Sequence, residues 1–131
     1  MTRLLAKQLA NCQRCPRLVA LRSEIKQQYP DDHAAPVGAW GDAQPSILLV
    51  GLAPGLHGAA RTGKALVGDS SGTFLFAALH RAGLASSPQP DLAKLNRVRI
   101  THVVKWLPPA NAPTAAEAAA CADYLDAELS R

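Results

Sequence analysis

The stretch whose reading decides the fold is Ser46–Leu84, SILLVGLAPGLHGAARTGKALVGDSSGTFLFAALHRAGL. Ile47–Val50 is a short apolar run ahead of a Gly/Pro break, the pattern of a buried strand in a covered parallel sheet, and the strand is expected to extend to Leu52. Gly51–Gly72 then carries six glycines and one proline, with Arg61, Lys64, Asp69 and three hydroxyls among them. Thr73–Leu79 is apolar at helical spacing, and Gly83 stops it, which predicts a core helix over Ser71–Ala82. Ser70 or Ser71 is placed to cap that helix. A strand, a long polar glycine-rich loop and a helix follow one another. Open α/β folds put ligand sites at such loops, beyond the carboxyl ends of the strands.

Downstream, Arg99–Val104 reads as a second strand, parallel to the first because a helix lies between them. Asp91–Asn96 suits a short turn of helix. Leu107–Pro113, LPPANAP, is a rigid loop, and Thr114 with Glu117 three residues on forms a capping-box pattern for a helix over Ala115–Leu129. Upstream, Thr2–Asn11 carries Leu4, Leu5 and Leu9 along one helical stripe, and Pro16 can start a helix over Arg17–Gln28. Tyr29–Asp42 is turn-rich, with Trp40 as its packing anchor. Two strands are marginal for three or four helices, and the chain ends after a helix that should feed a third. The expectation is one domain over 1–131, the front portion of a larger α/β domain. The rival is a strand near Ala39–Gln44 that completes a small sheet.

With 131 residues, 48% hydrophobic and 18% charged, the chain is globular rather than disordered. A net charge of +4 favours a polyanionic partner. No apolar run approaches the roughly 20 residues a membrane span requires. The N-terminus lacks the apolar core of a signal peptide, so a cytoplasmic location is expected. Three cysteines, an odd number, argue against a closed disulfide framework. Cys12 and Cys15 form a Cys-x-x-Cys pair, which is redox-active, metal-binding or incidental.

The loop is neither a Walker loop nor a Gly-x-Gly-x-x-Gly turn, so nucleotide binding is poorly supported. Its glycines let backbone amides approach a ligand. Asp69 has two readings: it orients or deprotonates a water, or it caps the helix that follows. Arg61 and Lys64 either contact phosphates or are solvated. His57 either donates to a ligand oxygen or lies at the surface, and His102, within the second strand, either reads a ligand or is a satisfied buried histidine. Ser70, Ser71 and Thr73 have no base beside them and take no nucleophilic role. Cys12, Cys15 and Cys121 converge if the first and last helices meet, yet a closed metal site or an iron–sulfur cubane wants four ligands.

Four blocks carry a resemblance: CQRCPRLV at Cys12–Val19, GLAPGLHGAARTG at Gly51–Gly63, VGDSSGTFLFAALHRAG at Val67–Gly83 and THVVKWLPPANAPT at Thr101–Thr114. Together they resemble the uracil-DNA glycosylase superfamily, its iron–sulfur branches, and most closely the family-five (type B) enzymes. The resemblance implies a three-layer α/β/α sandwich with a central parallel sheet. It also implies hydrolysis of the N-glycosidic bond of uracil or another deaminated base in double- or single-stranded DNA, with the base flipped into a pocket. Ala53 matches the family-five alanine that replaces an acidic residue of other branches. The catalytic role then falls on Asp69. Gly51, Leu52, Ala53 and His57 would line the pocket, with Arg61 beside it.

Four departures accompany the likeness. Leu66 stands where the family has a phenylalanine that stacks on the base, a contact of about 1–3 kcal/mol. His102 stands where an asparagine usually reads the base edge, and one imidazole cannot present the amide's donor and acceptor set. The family's [4Fe–4S] cluster uses four cysteines; Cys12, Cys15 and Cys121 match three, and Trp106 occupies the remaining place. A missing, degraded or three-cysteine cluster is therefore expected. Nothing after Arg131 supplies the family's late histidine, so a fragment or a shortened, inactive DNA-binding or structural relative is the alternative to an active enzyme.

Overall fold

The computed structural model describes residues 3–130. Helix α1 spans Arg3–Ala10, so the Thr2 end of the expected helix lies outside the described residues. Helix α2 spans Pro16–Gln28, with the proline in its first turn, where a missing amide costs nothing. Strand β1 is the two-residue Trp40–Gly41, and β2 is Ile47–Gly51. A four-residue helix α3, Ala59–Thr62, interrupts the glycine-rich loop, where no apolar period announces it. Helix α4 spans Ser70–Arg81, β3 spans Val98–His102, a 3-10 turn covers Pro109–Asn111, and α5 spans Ala115–Leu129. Thr114 and Glu117 close the anticipated capping box of α5.

The sheet order is β1-β3-β2, with β3 in the centre. β2 runs parallel to β3 in the register Ile47↔Val98 to Gly51↔His102, as the intervening helix requires. β1 runs antiparallel, Trp40 opposite Ile100. The sheet is thus mixed, which corrects the expectation of a purely parallel one, and the rival strand near Ala39–Gln44 is the one that forms. The reason is the short connection from β1 to β2, which has no room for the crossover that a parallel pair demands. Asp42 fastens that connection. Its carboxylate accepts from the amides of Gln44 (2.9 Å) and Arg97 (2.7 Å). At Gly41, φ is 122°, and a Cβ would stand 2.6 Å from the Val98 carbonyl oxygen, so only glycine fits.

β2 is not the buried strand its apolar run suggested. Ile47 and Val50 remain 36% and 45% exposed, because β2 is an edge strand of the described sheet. The fully buried strand is β3, with Val98, Ile100, Thr101 and His102 all at 2% exposure or less. Two apolar clusters flank it. One joins α4 to β3 through Phe76, Leu79, Val98 and Ile100. The other joins α2 and α5 to the chain after β3 through Leu18, Ile25, Val104, Trp106 and Cys121. The architecture is a small mixed sheet with helices about it, coarser than the closed three-layer sandwich that the resemblance implied. Trp40 anchors the irregular segment as expected, stacked on Phe76 at 5.8 Å with its indole N–H donating to the Ala65 carbonyl. Asp91–Asn96 forms turns rather than helix, held by an Ala85–Leu95 bridge. Among the described residues no helix is long and apolar enough to cross a membrane.

Candidate active site

The parallel register carries β2 and β3 to a common end. Gly51 pairs with His102, and the amides of Val103 and Val104 donate to the Gly51 and Leu52 carbonyls at 2.9 and 3.0 Å. The His102 ring lies against Gly51: a Cβ there would be 3.0 Å from Cδ2 and 3.6 Å from Nε2. Leu52 is exposed, while Ala53 packs on the α2/α5 cluster.

Asp69 closes the other side. It is the N-cap of α4, and its Oδ1 accepts from the Gly72 amide at 2.9 Å. This displaces Ser70 and Ser71 from the capping role expected of them, because the helix begins one residue earlier. The second oxygen, Oδ2, faces the Gly55–Gly58 turn, 3.7 and 2.5 Å from the positions of Cβ atoms added to those glycines. Leu66, at φ 62°, holds its carbonyl where a Cβ on Gly72 would meet it at 1.7 Å. The first turn of α4 therefore seats directly on the loop, and two glycines permit it. The Leu66 side chain packs against the α4/β3 cluster.

His102 is 2% exposed, and its Nδ1 has no hydrogen-bond partner. Burial pushes the imidazole down to a pKa of about 4, the positive charge of Lys105 adds to this, and Asp69 opposes it. The ring is neutral at physiological pH, and Asp69 acts on it from across the site. So the His102 ring meets Gly51, Asp69 Oδ2 meets the Gly55–Gly58 turn, and the Asp69 charge reaches His102. His57 and Arg61 do not join them directly. His57 is exposed and rests edge-on against Tyr29 at 5.9 Å, while its carbonyl accepts from Arg61 Nε at 2.9 Å. Arg61 lines a neighbouring cleft of about 280 Å³ with Thr62, Gly68, Thr73 and Asp91.

Cys12, Cys15 and Cys121 share a second site. All three border one cavity of about 20 Å³ between α2 and α5, and Trp106 borders it with them. That space holds about one water. Trp106 is 2% exposed and fills the volume with an indole that is no ligand. Burial pushes the Cys15 and Cys121 thiols up. Among the described residues no group of three or more His, Cys, Asp or Glu side chains is arranged to hold a metal ion. The residues present do not fit a [4Fe–4S] cluster. Protein contacts bind this region together instead. Arg14 pairs with Asp123 at 2.5 Å and lies over the Tyr124 ring, and Arg17 grips Glu117 through two hydrogen bonds.

The family model of the Uracil DNA glycosylase superfamily matches residues 39–131. The chain belongs to the uracil-DNA glycosylase superfamily. A type-5 uracil-DNA glycosylase of Mycobacterium leprae is 46% identical over 131 residues, covering 92% of this chain and 57% of that protein. One from Thermus thermophilus is 45% identical over 129 residues, covering 92% and 59%. One from Mycobacterium tuberculosis is 46% identical over 127 residues, covering 89% and 47%. The chain thus spans about half the length of the curated relatives it matches. The superfamily match takes in β1, β2, the glycine-rich loop, α4, β3 and α5, and so includes Gly51, Asp69 and His102. The buried Lys105, Thr101 and Glu128 behind that site escaped the sequence reading; a lone lysine in the apolar run VVKWL was their one signal.

Proposed function

We propose that this chain carries the base-handling part of a DNA base-excision glycosylase, which hydrolyses the N-glycosidic bond of uracil or another deaminated base. The observation that supports this most is the placement of Asp69 Oδ2 at the Gly55–Gly58 turn, across from the Gly51–His102 strand ends. In this reading the backbone of Gly51, Leu52 and Ala53 walls the pocket, and Leu66 lies beside the base without stacking on it. His102, and His57 at the rim, offer polar contacts. Arg61 meets a DNA phosphate, in keeping with the chain's net charge of +4.

The chemistry follows from the carboxylate. Asp69 orients a water and draws off its proton as the oxygen bonds to the deoxyribose C1′. The C1′–N bond breaks, its electron pair leaves with the base, and the base takes up a proton. Oδ1 remains on the Gly72 amide, so the cap fixes the carboxylate while Oδ2 works.

The second reading is a non-catalytic DNA-binding relative, favoured by the same cap, which accounts for Asp69 without turnover. Oligonucleotides containing uracil, hypoxanthine or xanthine, incubated with the chain and assayed for abasic sites, separate the two. Product that disappears in Asp69→Asn supports the glycosylase. Salt-sensitive binding without product supports the relative.

A further inference from the structure

Lys105 is the most deeply buried cation described, 2% exposed, and no role in binding a base falls to it directly. Its ammonium donates to Thr101 Oγ1 (2.7 Å), to the His102 carbonyl (2.5 Å) and to Glu128 Oε1 (2.5 Å). All three of its protons are thereby used. Glu128, 3% exposed, accepts in addition from the Thr101 hydroxyl at 2.8 Å and, through Oε2, from the Ala39 amide at 3.0 Å. One ion pair so ties the end of β3 to α5 and to the segment entering β1. A buried pair of this kind is a poor device for stability alone, since an apolar pair of equal volume does as well. Its contact with the His102 main chain is specific, however, and the His102 ring is one of two described groups, with the Trp106 indole, left with an unpartnered, buried nitrogen.

We propose that Lys105 is a positioning residue: with Thr101 and Glu128 it fixes the main chain at His102, so that the imidazole stays against Gly51 as a hydrogen-bonding group for an incoming base. The last clause rests on the glycosylase reading; the hold on His102 does not. Lys105 serves twice, pinning the carbonyl and setting a positive charge near the ring. Asp69, facing the ring from α4, acts in the opposite sense.

The test compares the unaltered chain with Lys105→Met/Glu128→Leu, which removes both charges and orphans neither. The His102 ring is followed by NMR titration of the free protein, its signals identified by their loss in His102→Gln. Affinity is measured for a uracil-containing duplex, with both proteins also carrying Asp69→Asn so that the base is not released. The expected result is a His102 titration shifted upward and an affinity weaker by about tenfold, the worth of one hydrogen bond between neutral groups. A folded double variant with the titration and affinity of the unaltered chain overturns the proposal. If neither protein binds the duplex, the glycosylase reading fails, and the titration alone decides whether Lys105 holds His102. Should the double variant not fold, Glu128→Gln, which keeps the Lys105 charge but loosens its seat, is read by affinity alone: a fall of the same order is expected, and unchanged affinity overturns the proposal.

Discussion

Asp69 and Gly58 share one space: Oδ2 of the carboxylate lies 2.5 Å from where a Cβ on Gly58 would stand. The loop and the α4 cap are therefore one device. Gly58→Ala must push Asp69 aside, and the cap goes with it, at a cost of about 1 kcal/mol in stability. Abasic-site formation is expected to fall at least tenfold, read beside a thermal melt.

Asp69→Asn separates the two duties of this side chain. Asparagine caps a helix about as well as aspartate, so the melting temperature should hardly move. It has no basic carboxylate, so turnover should be lost. Asp69→Ala should lose both, with stability down by about 1 kcal/mol. Full turnover in Asp69→Asn would leave Asp69 a cap and nothing more.

The buried His102 makes stability depend on pH. In the unfolded chain it titrates near 6.5, and in the folded chain at about 4, lowered mainly by burial. The unfolded state thus binds more protons between these values, and stability rises with pH across them. The contribution is complete above about pH 6.5 and is lost as pH falls toward 4, on the order of 3 kcal/mol in all. Urea titrations at pH 7 and pH 4.5 should show the fall, and His102→Gln should flatten it.

How far the sequence disclosed the structure differs from element to element. The β2–loop–α4–β3 succession was legible because periodicity and glycine breaks mark it. The exposure of β2 was not, since an apolar run reads alike whether one neighbour or two flank it in the sheet. β1 is two residues long, too short for any period, and it decides the mixed topology. Asp69 stood open between cap and catalyst because Asp-Ser-Ser offers three capping side chains in a row; only coordinates show that one oxygen caps and the other faces the loop. The Lys105–Glu128 pair spans 23 residues, a contact no local pattern reports.

An acid-sensitive clamp also joins α2 to α5. Glu117 is pulled down to a pKa of about 2, first by the Arg17 guanidinium and then by its capping bond to Thr114. Its stabilisation is present above its ordinary value of 4.5 and is lost as pH falls through 2. Thr114→Ala, which opens the capping box, should cost about 1 kcal/mol at pH 7. Arg17→Met should shrink the loss of stability between pH 4.5 and 2, measured by circular dichroism.

The last prediction concerns Trp106, whose indole borders the cavity that the three cysteines also line. Replacing it with cysteine would supply a fourth thiol and vacate most of a buried aromatic side chain. That loss should destabilise the chain by about 3–5 kcal/mol, since the packed cluster of Leu18, Ile25 and Val104 relaxes only in part. The Arg17–Glu117 pair still binds α2 to α5, and Arg14–Asp123 binds the segment before α2 to the same helix, so the cavity walls should stay in place. Refolded with iron and sulfide under reducing conditions, Trp106→Cys should take up stoichiometric iron, gain visible charge-transfer absorbance and recover part of the lost stability, because a bound cluster stabilises the state that binds it. The unaltered chain, treated identically, should do none of these. Stoichiometric iron in the unaltered chain would mean that the indole yields its place, and the reading of Trp106 as a permanent filling would fall.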